Sequence, residues 1–125
     1  MKTYSVKANE IKREWHVIDA ADKVLGKVAT EAAELIMGKN KTMFTRNLDT
    51  GDYVVVINAS KIKVTGKKLE QKEYIWHTNY PGGLRRKKMA DVFKAQPDKV
   101  LKEAVMGMLP KNKLRDQMIK RLKIK

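Results

Sequence analysis

Few side chains in this sequence have the type and spacing for catalysis. The two histidines, His16 and His77, each lie beside a tryptophan on predicted strands. Neither has a carboxylate three or four residues away on a helix, the spacing that would set two ligands on one face. His16 and Asp19 are an odd number of residues apart on a strand and therefore point to opposite faces. Asp49 and Asp52 could hold a magnesium ion, but Asp49-Thr50-Gly51-Asp52 reads first as a turn whose side chains bond backbone groups. Gly38-Lys39-Asn40-Lys41-Thr42 has the composition of a phosphate-cradling loop. Such a loop joins a strand to the start of a helix, whereas this one follows a predicted helix and fits a C-cap with a basic loop. The chain has no cysteine, so thiol nucleophiles, disulfides and cysteine-based zinc or iron–sulfur sites are excluded. The expectation is a protein that is not an enzyme, with no catalytic residue, metal or cofactor.

Binding chemistry is better represented. The segment Tyr80-Pro81-Gly82-Gly83-Leu84 is followed directly by Arg85, Arg86, Lys87 and Lys88. Proline fixes one dihedral and two glycines relieve steric limits, so the backbone can turn sharply and approach a surface closely. Trp76, His77 and Tyr80 lie just upstream, and aromatics beside cations suit RNA, whose unpaired bases are read by stacking. Tyr74 and Trp76 are assigned to the core and Tyr80 to contact. A second basic stretch is residues 111–125, where Lys111, Lys113, Arg115, Lys120, Arg121, Lys123 and Lys125 face only Asp116. On a helix, Lys113 and Lys120 would lie opposite the apolar stripe, flanked by Arg115 and Arg121. That apolar side is too small, and too poor in aromatics, to support membrane insertion.

The charge as a whole agrees. With 28 Lys and Arg against 14 Asp and Glu, the 125-residue chain carries a formal net charge of +14. Residues 1–62 hold 10 basic and 8 acidic groups, and residues 63–125 hold 18 and 6. An excess of this size points to a polyanionic partner, with nucleic acid the commonest. Three classes follow: an RNA-binding structural protein, favoured; a DNA-binding module, for which helix-turn-helix and zinc-finger signatures are missing; and a small basic enzyme acting on nucleic acid. No apolar run approaches the roughly 20 residues of a membrane span. Met1 to Glu14 is polar and lacks a signal-peptide core. The expectation is a cytoplasmic protein with neither a membrane nor a small-molecule partner.

Elements must position these residues. The length suits one domain, 1–125, which can hide about two-thirds of its unfolded surface. Residues 15–20 read as a strand. Leu25, Val28, Ala29, Ala32, Leu35 and Ile36 form one helical stripe, with Gly38 as its stop. The unbroken run Tyr53-Val54-Val55-Val56-Ile57 predicts a strand covered on both faces, as in a parallel sheet. Residues 60–68 fit a short strand, or a helical turn followed by one, and residues 73–78 a further strand. Residues 79–88 read as a loop whose like charges need a counter-surface to become ordered. Helices are expected over 89–95, from Pro97 to about Met108, and over 114–122, the last with Leu114, Met118, Ile119 and Leu122 on one side.

Several of these residues together carry a family likeness. Met1-Lys2-Thr3-Tyr4, Trp15 to Ala20, Val24 to Thr30, Leu48 to Val54, Val64 to Lys68, Tyr80 to Leu84 and Gly107-Met108-Leu109-Pro110-Lys111-Asn112 occur in order along nearly the whole chain. On these motifs the chain resembles the bacterial-type large-subunit ribosomal protein thirteen family. The resemblance implies an α/β fold, three-layer α/β/α around a small parallel sheet, with a basic C-terminal helical segment. It implies a structural constituent of the large ribosomal subunit that binds large-subunit rRNA, joins assembly early and adjoins neighbouring large-subunit ribosomal proteins. The basic segments 39–47, 79–88 and 111–125 then become RNA-contacting segments. The candidate RNA-binding residues are Lys39, Lys41, Arg46, Lys67, Lys68, Tyr80, Gly82, Gly83, Arg85, Arg86, Lys87, Lys88, Lys111, Lys113, Arg115, Lys120 and Arg121. Two departures stand out. Thr45-Arg46-Asn47 replaces the family's usual Thr-Pro-His step, where Arg46 could bind phosphate. The family's Tyr-Ala-Gly continuation is missing after Lys125, so that tail is either absent or not included.

Overall fold

The computed structural model describes residue 5 and residues 7–125; the Met1–Tyr4 match lies outside them. β1 (Trp15–Asp19) leads into α1 (Leu25–Met37), which returns the chain to β2 (Tyr53–Ile57). α1 forms because its apolar positions recur every three to four residues, burying Val28, Ala29, Ala32, Ala33 and Ile36. It ends at Gly38, which adopts φ +79° and returns its N–H to the Glu34 carbonyl (3.1 Å). A Cβ there would meet Thr50 at 2.7–2.8 Å, so glycine also permits the helix end to close on the Asp49–Asp52 turn.

β1 and β2 pair in parallel, Trp15 with Tyr53 through Asp19 with Ile57. The last strand, β5 (Leu122–Ile124), joins β2 on its other edge, also in parallel. The sheet order is therefore β1-β2-β5. Both crossovers advance in the same direction, and a right-handed hand for each sets their helices on one face. That face carries Ile18, Val54 and Val56, packed with α1, with α4 (Pro97–Met108) through Leu101 and Val105, and with α5 (Arg115–Ile119) through Met118 and Ile119. Fully burying each such aliphatic side chain contributes about 2 kcal/mol.

The α/β class and the small parallel sheet are as expected. Of the three layers, the described residues supply two. On the opposite face Trp15 is 61% exposed and Val17 68% exposed. β2 is accordingly buried fully at Val54 and Val56 and only partly at Tyr53, Val55 and Ile57, instead of being covered on both faces.

Residues 59–61 form a 3₁₀ turn, followed by a single parallel bridge between Val24 and Lys63. A short helix, α2 (Lys68–Gln71), precedes a separate antiparallel hairpin of β3 (Glu73–His77) and β4 (Leu84–Lys88). The reading of 79–88 as a loop throughout is thus corrected: Leu84–Lys88 is a strand because β3 supplies it with a complete pairing partner. α3 (Met89–Ala95) seats the hairpin through a second cluster of Met89, Val92 and Val100, against which Tyr74, Leu69 and Val64 pack. The expected helix 114–122 is corrected as well. It stops at Ile119, and Leu122–Ile124 extends along β2.

Candidate nucleic-acid interface

The hairpin presents its cations on a rigid frame. Thr78 N–H donates to the Gly83 carbonyl (2.8 Å) and Gly83 N–H to the Tyr80 carbonyl (3.0 Å), closing the turn. Gly82 takes φ +71°, and a Cβ on Gly83 would sit 1.8 Å from Thr78 Oγ1. Both glycines are therefore required by the turn itself. Opposed residues of an antiparallel pair share a face. Trp76–Arg85 and Tyr74–Lys87 thus lie on one side, and Ile75–Arg86 and Glu73–Lys88 on the other. Every residue of β4 is exposed. Arg86 makes a loose pair with Glu73 (3.7 Å). Among the described residues, Arg85, Lys87 and Lys88 have no carboxylate partner. Tyr80 is 80% exposed. Trp76 is 48% exposed, which corrects its assignment to the core: its strand faces α3 only at the Tyr74 end. Cations and aromatic rings therefore stand side by side on one hairpin. Lys67 and Lys68, both exposed, stand at the start of α2, which packs against β4.

The other candidates divide. Lys39 and Arg46 are exposed, as are Lys111, Lys113 and Lys120, while Arg115 is half-buried. Lys41 turns inward, its Nζ 2.6 Å from Asp52 Oδ1 and 2.9 Å from the Lys12 carbonyl. Arg121 is buried. Its guanidinium grips Asp49 with two nitrogens and donates to the carbonyls of Ile36 (2.6 Å) and Asp52 (3.3 Å). Lys41 and Arg121 are thus each paired with a carboxylate of the chain itself, and chain carbonyls accept their remaining hydrogen bonds.

These two cations belong to a network at the N-terminal edge of the sheet. Arg13 donates to the Gly51 (2.5 Å) and Asp49 (2.9 Å) carbonyls, and His16 Nε2 lies 2.8 Å from Asp52 Oδ2. Burial pushes the Asp52 carboxyl up, but Lys41, His16 and the Glu14 N–H together hold it below the usual carboxylate range. Asp49 and Asp52 are thus taken up by the chain's own cations, and His16 serves Asp52, not Asp19.

A model of the ribosomal protein L13 family matches residues 13–124. The chain belongs to this family. The large ribosomal subunit protein uL13 of Dehalococcoides mccartyi strain CBDB1 is 57% identical over 124 residues, covering 99% of this chain and 87% of that protein. The proteins of the same name from Moorella thermoacetica and Halorhodospira halophila are 52% and 48% identical, with 99% of this chain covered in each and 86% and 87% of the respective relatives. The family match takes in the Asp49–Asp52 turn, the hairpin and β5 together.

Two features escaped the sequence reading. Trp15 and Tyr53 stack with ring centroids 4.5 Å apart on the open sheet face; only the strand register brings them together. β5 had a visible signal, the period-2 alternation Leu122-Lys123-Ile124-Lys125, which overlaps the helical spacing of Leu114, Met118, Ile119 and Leu122.

Proposed function

We propose that this chain is a structural constituent of the large ribosomal subunit in the cytoplasm, that it binds large-subunit rRNA, and that it supports early subunit assembly beside neighbouring ribosomal proteins. Its membership of the ribosomal protein L13 family carries this reading. The hairpin supplies the chemistry: unpaired cations for phosphates, and Trp76 and Tyr80 for stacking on unpaired bases. Lys39, Arg46, Lys67, Lys68, Lys111, Lys113 and Lys120 extend the cationic surface, and Gly82 and Gly83 let the hairpin tip turn.

The test is a salt titration of binding to a large-subunit rRNA transcript. Replacing Arg85, Arg86, Lys87 and Lys88 with alanine should weaken binding and reduce the log–log salt slope by about 3, at roughly 0.7–0.9 per phosphate contact. An unchanged titration removes the hairpin from the interface. Duplex DNA competing as well as rRNA would favour the DNA-binding alternative. Sedimentation in high salt should carry the chain with the large subunit.

A further inference from the structure

A cavity of about 350 Å³ opens where the loop after α1 meets the connection between α4 and α5. Its volume falls at the small end of ligand pockets. Met37, Phe44 and Met118 give it apolar walls. Lys39 and Arg46 stand at it, both exposed, and none of the described residues lining it is acidic. Thr45 lines it too, and the buried Thr45 hydroxyl has no hydrogen-bond partner among the described residues. Asn112, also in the lining, uses its amide oxygen to accept from Leu114 N–H (3.0 Å), and the other corner of its amide carries two N–H donors. The hairpin lines no part of it.

We propose that this cavity receives one unpaired nucleotide of the bound RNA. The inference rests on the reading of the chain as an RNA-binding protein and adds a base-holding site to it. A flipped base needs a flat apolar or cationic surface for stacking, a few polar groups for its edge, and cations for its flanking phosphates. Phe44 and the Arg46 guanidinium provide the first, Thr45 and Asn112 the second, and Lys39 with Arg46 the third. A duplex cannot enter, because its bases are already stacked. Arg46 stands here at the step where the family resemblance leads one to expect proline, so the cationic side of the site is a property of this sequence.

The full chain, labelled at its methionine methyl groups, is titrated with single-stranded hexaribonucleotides of adenine, cytosine or uracil, and with an RNA duplex. At least one single strand should move the Met37 and Met118 signals while Met89, buried in the separate cluster beneath the hairpin, stays still. Phe44→Ala should lower affinity for that strand about tenfold with the salt slope unchanged, and Phe44→Tyr should restore it. Should Phe44→Ala disturb the fold, the exposed Arg46→Ser variant should still weaken the methyl response. Silent Met37 and Met118 signals, an equal response to the duplex, or an equal response to an oligoglutamate would overturn the inference. A chain that binds the rRNA transcript yet shows silent methyls loses this site alone; a chain that fails to bind the transcript at all loses the ribosomal reading.

Discussion

Arg121 shows how burial changes the meaning of a charge. Within the basic run 111–125 it resembles its neighbours, yet it sits inside the protein against Asp49 and the C-terminal carbonyl of α1 at Ile36. A cation at a helix C-terminus is favoured by the helix dipole, and a two-nitrogen grip on a carboxylate fixes geometry. Removing one partner of such a pair strands the other in the interior. Arg121→Ala should therefore cost about 3–5 kcal/mol in denaturant unfolding. Arg121→Lys should recover only part of that, because an ammonium lacks the planar fork. Asp52 gives a pH signature. Its carboxyl titrates below its ordinary value of 3.8 in the folded protein. The stabilisation is then complete above that value and fades as pH falls through the lower folded value. The stability gap between the native chain and Asp52→Asn should be flat around neutrality and close on acidification below about pH 4; a gap that widens there contradicts the assignment.

The elements differ in how openly the sequence declares them. α1, β2 and α3 are legible because each has one dominant pattern: a helical stripe ended by Gly38, a β-branched run, and a short apolar helix. β4 is not legible, since Leu-Arg-Arg-Lys-Lys has neither alternation nor β-branched residues. It is a strand because β3 lies opposite and the Pro81–Gly83 turn sets the register. The hairpin should therefore be sensitive at its turn. Gly83→Ala, whose Cβ would clash with Thr78, should abolish amide exchange protection across Glu73–His77 and Leu84–Lys88 while α1 stays protected. The four-alanine variant should leave the same protection intact, since those side chains are exposed. Retained hairpin protection in Gly83→Ala would show that the turn does not set the register.

At the scale of the molecule, the two halves of the sequence have different electrostatic roles. In the near-neutral half, Asp49 and Asp52 draw Arg13, His16, Lys41 and the distant Arg121 into one network at the sheet edge. The excess cations of the second half are left on the hairpin, on α2 and around the turn after α4. With no polyanion bound, that excess repels itself. Raising the salt concentration from low to physiological should therefore raise the melting temperature of the free chain, as screening shortens to a Debye length of about 8 Å. A falling melting temperature would mean that the internal ion pairs outweigh the surface repulsion.

By itself the sequence determined the basic excess and its concentration after residue 62, the family resemblance, the crossover from β1 through α1 to β2, and the turn glycines, because composition and local periodicity are properties of short stretches. The tertiary structure alone decided which cations remain free. Arg121 and Lys111 are equal in a composition count; 85 positions separate Arg121 from Ile36, and only chain closure brings that guanidinium to the carbonyl. The same closure set Met37, Phe44, Asn112 and Met118 around one cavity. No local pattern encodes such a meeting, since it depends on how α1, α4 and α5 share one face of the sheet.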